Sequence, residues 1–334
     1  MQKDTPPTPV DVSGRILLGI YLSSHLIRIG AVSGDGRLLS LHREPWQAAP
    51  GTPDSGPRGA AQLKTVIHRI LAEKSAPGPV QAIGVGLPGL VHQATHRLVT
   101  VTNAPTLSDV DLYGELSAEF NLPLTFENNA NAAAYAEMTG GAATGVGDWL
   151  YLSIGSGVGS GLVLDGKLRR GKSGYAGELG HINIDPDGTQ CACGSFGCLE
   201  TKASAANIVM RTLGRLRRDA TSLLSKYPEN EITYERIVEA AAQGDDLARL
   251  MMQRTGHYIG LAVADMINVL NLSMVAVGGA VAARPLLIPA IIEETRRRAF
   301  PPALADCQIL PAKLGDEGGV IGAALIAGEK LAAA

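Results

Sequence analysis

The residues best suited to chemistry concentrate between Gly177 and Glu200. The stretch opens Gly177-Glu178-Leu179-Gly180-His181 and closes Cys191-Ala192-Cys193-Gly194-Ser195-Phe196-Gly197-Cys198-Leu199-Glu200. Three of the chain's 4 cysteines stand here, close behind a histidine. Thiolate and imidazole are donors that zinc prefers, and a closed Cys3His set is a structural site with no position left for substrate. His181, Cys191, Cys193 and Cys198 are therefore the expected ligands of a Zn2+ ion, with Cys307 far away in sequence. Gly194 and Gly197 suit the tight turns needed to bring three sulfurs onto one ion. The competing reading is a run of buried small hydrophobes beside a core histidine. Glu178 and Glu200 bracket the loop. A metal-fixed loop with a carboxylate at each end can present hydroxyl-binding groups at little ordering cost.

Two glycine runs could receive phosphate or a base. Gly155-Ser156-Gly157-Val158-Gly159-Ser160-Gly161 reads as a turn between strands. Such a turn exposes N–H groups and admits phosphate oxygens without side-chain clash, and it is equally a plain hairpin turn. Gly278-Gly279 follows a short apolar run and could admit a flat base or let a helix pack closely. Glu127-Asn128-Asn129-Ala130-Asn131 joins a strand end to a helix start, the place where ligands gather in open α/β sheets. Its amides could hydrogen-bond sugar hydroxyls or simply cap the helix.

The elements that position these groups follow from periodicity. Arg15 to Val32 reads as a strand pair, Gly59 to Glu73 as a helix, and Gln81 to Gly86 as a buried strand. Trp46 to Arg58 reads as a loop. Asp111 to Phe120 is an expected helix, Pro123 to Phe126 a strand, and Asn128 opens a second helix. Trp149 to Leu164 repeats the opening pattern, and Asp165-Gly166-Lys167-Leu168 echoes Asp35-Gly36-Arg37-Leu38. A strand–turn–strand–Asp-Gly unit in each half predicts two related α/β domains facing each other across a cleft. Thr201 to Lys226 and Glu235 to Leu270 read as largely helical. A strand at Met274 to Val277, a helix near Arg284 to Arg298, a strand at Gln308 to Pro311 and a helix at Gly318 to Ala333 complete the chain.

Composition narrows the function classes. The 334 residues carry a formal net charge of −3 and no basic tract, so direct nucleic-acid binding is not expected. No apolar run is long enough to span a bilayer. Residues 1–13 are polar and Pro-containing, and read as a disordered tail without a signal-peptide core. Few cysteines, most of them metal-like, point to a reducing cytoplasm.

These motifs together resemble the ROK family of bacterial sugar kinases and sugar-responsive repressors, of the glucokinase and N-acetylhexosamine kinase type. The resemblance spans Arg15 to Gly328 and is carried by the His181–Glu200 loop, the Gly155–Gly161 run, Gly278-Gly279-Ala280 and the ending Leu314-Gly315-Asp316-Glu317-Gly318-Gly319-Val320-Ile321-Gly322-Ala323-Ala324. It implies a two-domain actin-like ATPase (ribonuclease H-like) fold with an interdomain cleft. The expected domains are 14–127, with helix 316–333 packing back on it, and 128–315 with the zinc loop. It implies sugar contacts from Gly89, Asn103, Asn128, Asn129, Glu178, His181 and Glu200, His181 serving zinc and sugar through one ring nitrogen each. It implies nucleotide contacts from Gly155, Ser156, Gly157, Gly159, Gly161, Gly278 and Gly279, with ATP and Mg2+ as ligands. It further implies a homodimer or homotetramer.

The chain departs from the family pattern at two places. Where the first phosphate motif reads Gly-Ile-Asp-x-Gly-Gly-Thr-Lys, this chain has Gly19-Ile20-Tyr21-Leu22-Ser23-Ser24-His25-Leu26. Where the family's Glu-Asn-Asp-x-Asn supplies its general base, this chain has Asn129. An amide hydrogen-bonds a hydroxyl but does not take its proton at neutral pH. A positioned base contributes about 10²–10⁴-fold, and phosphoryl transfer depends on phosphate positioning for much of the rest. The expectation is a hexose- or N-acetylhexosamine-binding protein with impaired or absent catalysis. An active sugar kinase is the first alternative. The second is a regulator without its own DNA-binding domain, since the family's repressors carry a winged helix-turn-helix ahead of this core and only a short tail precedes Arg15.

Overall fold

The computed structural model describes residues 14–47, 54–73, 78–100, 105–281 and 286–333. The expected tail over residues 1–13 and the candidate Asn103 lie outside them. Contacts divide the chain into one unit of Met1–Ala136 with Glu317–Ala334 and a second of Glu137–Asp316.

The first unit begins with β1 (Ile16–Leu22), β2 (Leu26–Ser33) and β3 (His42–Pro45), followed by α1 (Ser55–Ala72) and β4 (Val80–Leu87). A small hairpin of β5 (Leu90–Val91) and β6 (Leu98–Thr100) leads to α2 (Leu112–Glu119), β7 (Leu124–Asn128) and α3 (Asn129–Gly140). Its sheet runs β3-β2-β1-β4-β7. β1 and β2 are antiparallel, while β1, β4 and β7 are parallel. The apolar strand runs point one face at α1, where Leu18, Ile20, Ile83, Val85 and Phe126 pack with Leu63, Ile67 and Ile70. Each such buried side chain contributes about 1.5–3 kcal/mol.

The second unit holds β8 (Trp149–Ile154), β9 (Val158–Leu164), β10 (Lys167–Leu168), α4 (Glu200–Ala203), α5 (Ala205–Leu216), α6 (Tyr234–Ala242) and α7 (Asp246–Leu270). It continues with β11 (Met274–Gly278), α8 (Leu287–Arg298), α9 (Pro301–Ala305) and β12 (Gln308–Pro311). α10 (Gly318–Ala333) then belongs to the first unit. The second sheet runs β10-β9-β8-β11-β12, again an antiparallel hairpin followed by parallel strands. The repeated strand–turn–strand–Asp-Gly pattern thus corresponds to a repeated topology.

α10 lies on the face of the first sheet opposite α1 because that face is paved with glycine. A Cβ at Gly84 would lie 1.8 Å from the Ala323 carbonyl oxygen, and one at Gly19 2.0 Å from that of Val320. Gly322 approaches α3 equally closely, 1.7 Å from the Ala132 oxygen. This α3–α10 contact draws α3 as far as Ala136 into the first unit, so the division does not fall at the expected 127/128. Just beyond it, Glu137 accepts hydrogen bonds from the N–H groups of Ala142, Lys313 and Leu314 at 2.7, 2.9 and 2.7 Å.

Other expected boundaries shift for local reasons. β9 starts at Val158, so the glycine turn covers only residues 155–157, while Gly159 and Gly161 pair with Ser153 and Tyr151 in the ladder. The helical stretch expected from Glu235 breaks at Gly244, which has φ of 97° and so suits glycine. Asp245 then caps α7 by accepting from Ala248 N–H at 2.7 Å. β3, the β5–β6 hairpin and α9 are too short to show periodicity. Among the described residues no helix is long and apolar enough to cross a membrane.

Candidate metal centre and ligand site

Parallel strands deliver their carboxyl ends to one edge of each sheet. In the first unit, Tyr21 pairs with Gly86 and Leu87 with Asn128, so the ends of β1, β4 and β7 lie side by side. Gly89, at φ of 100°, turns the chain just past β4. Asn128 donates its side-chain N–H to the Gly89 carbonyl at 2.9 Å. Its side-chain oxygen accepts from Ala130 and Asn131 N–H at 2.8 and 3.2 Å. Asn128 therefore caps α3 and anchors Gly89, which leaves one amide N–H for a ligand. Asn129 begins α3, and no hydrogen bond of its side chain is found among the described residues. Behind them the buried Glu127 accepts from the Asn131 amide at 3.1 Å and from Asn128 N–H at 3.0 Å.

The first phosphate loop takes a different form. Ser23 closes the β1–β2 turn, its hydroxyl donating to the Leu26 carbonyl at 3.1 Å and accepting from Leu26 N–H at 3.2 Å. That hydroxyl is engaged in the turn and not held out toward a phosphate. Arg28 lies over the Tyr21 ring, 5.7 Å from its centroid.

In the second unit the candidate ligand groups cluster around β9. Ser160 donates its hydroxyl to the Gly177 carbonyl and accepts from Leu179 N–H at 3.2 Å, gripping the chain on both sides of Glu178. Gly180 follows, where a Cβ would lie 2.0 Å from the Val158 oxygen. Glu200, the first residue of α4, accepts from Val158 N–H at 2.8 Å. Val158 thus ties both ends of the loop to one strand. Ser160 escaped the sequence reading, where it looked like a turn residue; its alternation with glycine in a strand was the available signal. Burial raises the Glu178 carboxyl above its ordinary range, His181 opposing the rise and Glu200 adding to it. His181 Nε2 lies 4.0 Å from Glu178 Oε2.

The other ring nitrogen faces the sulfurs. His181 Nδ1 is 3.7 Å from Cys191 Sγ, and Cys193 Sγ is 3.7 Å from Cys198 Sγ. The four donor atoms all lie within 4.8 Å of one another. Tetrahedral zinc with Zn–S bonds of about 2.3 Å has S···S edges of about 3.8 Å, so the donor set fits such an ion. Gly197 makes the turn possible: a Cβ there would lie 1.8 Å from the Asp185 carbonyl oxygen. All four cysteines are free thiols. Burial, with the neighbouring thiols, pushes Cys198 up to about 12, and burial also raises Cys191. Burial opposes ionisation of Cys193 too, but hydrogen bonds from Ser195 N–H and the other cysteines hold it below its ordinary value. Burial opposes ionisation of all three thiols, and a divalent cation would favour their thiolate forms.

The glycines expected to contact nucleotide are partly engaged within the fold. In the β8–β9 turn, Gly155 N–H donates to the Gly157 carbonyl at 2.9 Å, and Val158 N–H is held by Glu200. A Cβ at Gly155 would meet nothing within 4 Å. Ser156 stands beside it at the tip of the turn. Gly279, at φ of 88°, lies where a Cβ would be 2.4 Å from the Ile154 carbonyl oxygen, and one at Gly278 would be 2.7 Å from the Tyr151 hydroxyl. These two glycines have a packing reason of their own.

A family model described as "ROK family" matches residues 18–330. Glucokinase of Halalkalibacterium halodurans is 29% identical over 316 residues, covering 93% of this chain and 94% of that one. The xylose repressor of Caldicellulosiruptor bescii is 33% identical over 251 residues, covering 74% of this chain and 62% of that one, so the chain spans under two thirds of that repressor. The crystal structure of a ROK family glucokinase from Streptomyces griseus with glucose and AMPPNP superposes with a TM-score of 0.78 at 30% identity, covering 93% of this chain and 98% of that one. Two α/β units with one repeated strand order are those of the actin-like ATPase fold.

Proposed function

This chain belongs to the ROK family, and on that premise we propose that it binds a hexose or N-acetylhexosamine while having lost most or all phosphoryl transfer. The observation that carries this reading is Asn129. It stands at the first turn of α3, its side chain without a hydrogen bond among the described residues, where the family motif supplies a proton acceptor. Beside it, Tyr21 replaces the acid of the first phosphate motif and Ser23 is committed to its own turn. On the family pattern, Gly89, Asn128, Asn129, Glu178, His181 and Glu200 are the candidates for the sugar's hydrogen-bond partners. His181 serves as zinc ligand through Nδ1 and as sugar ligand through Nε2. Zinc, held by His181, Cys191, Cys193 and Cys198, fixes the loop and takes no part in chemistry. The β8–β9 turn is the candidate nucleotide contact.

Calorimetry with a panel of hexoses, alone and with ATP–Mg2+, tests the reading together with a coupled kinase assay. Sugar binding without turnover supports it. Sugar-dependent ATP consumption near the ordinary kinase range of about 1–100 s⁻¹ would overturn it. The glucokinase relatives favour the alternative of a working sugar kinase, and the same assay decides between the two. The xylose repressor relative favours a regulatory reading, in which sugar binding and not catalysis is the output. A salt-dependent mobility shift on DNA would be its sign.

A further inference from the structure

The helices beside the Cys/His loop carry several cations grouped around one tyrosine. Tyr258 on α7 lies between two of them: Lys202 Nζ is 5.6 Å from its ring centroid and the Arg211 guanidinium 5.4 Å. Lys202 is neutralised by Asp185 at 2.8 Å. Arg211 is not. It donates one N–H to the buried Thr255 hydroxyl, and its Nε is buried with no acceptor. Arg215, one turn along α5, and Arg254, next to Thr255 on α7, both bear on Arg211 as like charges. Neither α5 nor the α7 segment between Asp246 and Asp265 contains an acidic residue. Among the described residues no carboxylate forms an ion pair with Arg211, Arg215 or Arg254. Arg211 and Arg215 stand one turn apart on α5, and the Arg211–Thr255 bond brings α5 against the α7 turn that carries Arg254, with Arg211 Nε unmatched among the described residues.

We infer that the face formed by α5 and α7 is a binding site for a phosphate-type dianion, gripped by Arg211, Arg215 and Arg254. A carboxylate offers one charge in one plane, whereas a tetrahedral dianion offers oxygens to donors arriving from two helices. The proposal uses none of the Glu178–His181–Glu200 side chains and does not depend on the sugar reading. The shared chemistry is the phosphate group, either free or on an organic ester.

Calorimetric titration of the zinc-loaded full chain with inorganic phosphate, and in parallel with a hexose phosphate, at an ionic strength held constant with chloride, tests it. Saturable binding is expected. Arg215→Gln combined with Arg254→Gln, both at exposed positions, is expected to raise Kd at least about tenfold while leaving the melting profile intact. Arg211→Lys keeps the charge but loses the planar fork, and is expected to weaken binding severalfold. Equal affinity for both ligands would identify free phosphate, and tighter binding of the hexose phosphate an ester. Absence of saturation in the wild type, or the same Kd in the double variant, would overturn the site, the latter by showing that phosphate binds elsewhere.

Discussion

The ring of Tyr21 rests on the backbone of Gly319: a Cβ at Gly319 would lie 2.0 Å from Tyr21 Cδ2 and 2.3 Å from Cε2. The aromatic side chain at the end of β1 is accommodated only because α10 opens with glycine. Gly319→Ala is therefore expected to destabilise the protein by about 1–3 kcal/mol through overpacking. Combining it with Tyr21→Ala should cost less than the sum of the single changes, because the clash disappears with the ring. Urea unfolding of the two single variants and the double variant measures this coupling. Strict additivity would show that ring and glycine do not meet.

Asn129→Asp places a carboxylate at the start of α3. The helix dipole favours that charge, so stability should rise by about 0.3–1 kcal/mol. If the missing base limits chemistry, sugar-dependent ATP turnover should rise by about 10²-fold or more over the wild type. Half-saturation by ATP should remain poor, because Tyr21 and the Ser23 turn are untouched. A coupled assay over a range of ATP concentrations separates the two effects. A wild type that already turns over briskly, with no gain in the variant, would remove the argument from the amide.

Removing the metal should expose the conflict among the cysteines. In the ion-free loop Cys198 titrates at about 12 against an ordinary 9.0. A thiol raised by folding contributes stability that is complete below the ordinary value and is lost as pH climbs toward the folded one. The metal-free protein should thus lose stability above about pH 9 more steeply than the zinc-loaded protein. Zinc binding near neutral pH should release protons, measurable by calorimetry in buffers of different ionisation heat. Cys198→Ser should lower the bound zinc well below one equivalent by elemental analysis.

Much of this organisation is written in the chain. The Asp-Gly echo after each hairpin announced a repeated unit, because a tight turn leaves the same residues wherever the same hairpin recurs. The grouping of His181 with Cys191, Cys193 and Cys198 was legible because sulfur, imidazole and glycine at this spacing leave few other uses. What the sequence hid was the allocation of hydrogen bonds. Asn128 reads as a ligand, yet most of its amide is committed to Gly89 and the α3 cap. Ser160 reads as part of a loop, yet it is buried in β9 and holds the Glu178 turn. Both roles depend on which backbone groups arrive from distant positions, and local patterns carry no record of that. The close approach of Gly84 to Ala323 is hidden for the same reason.

His96 gives the hairpin after Gly89 a predictable response to acid. It sits between β5 and β6 at φ of 54°, a left-handed conformation that costs most side chains strain. Its ring stacks on Tyr113, with centroids 4.5 Å apart and planes 18° apart, and Tyr113 in turn meets Phe126 of β7 edge-on at 5.2 Å. Its Nδ1 is buried without a partner. Burial, reinforced by the charge of Lys330, holds its pKa below the ordinary 6.5. The unfolded chain then takes up the proton first as pH falls, so stability present above 6.5 declines through the window beneath it. His96→Asn retains a residue that tolerates the left-handed turn and removes the titration. Urea midpoints measured at several values between about pH 5 and 7.5 should therefore fall with acid less steeply in the variant than in the wild type. Parallel slopes would assign the acid sensitivity to other groups and leave His96 a purely steric role in the hairpin.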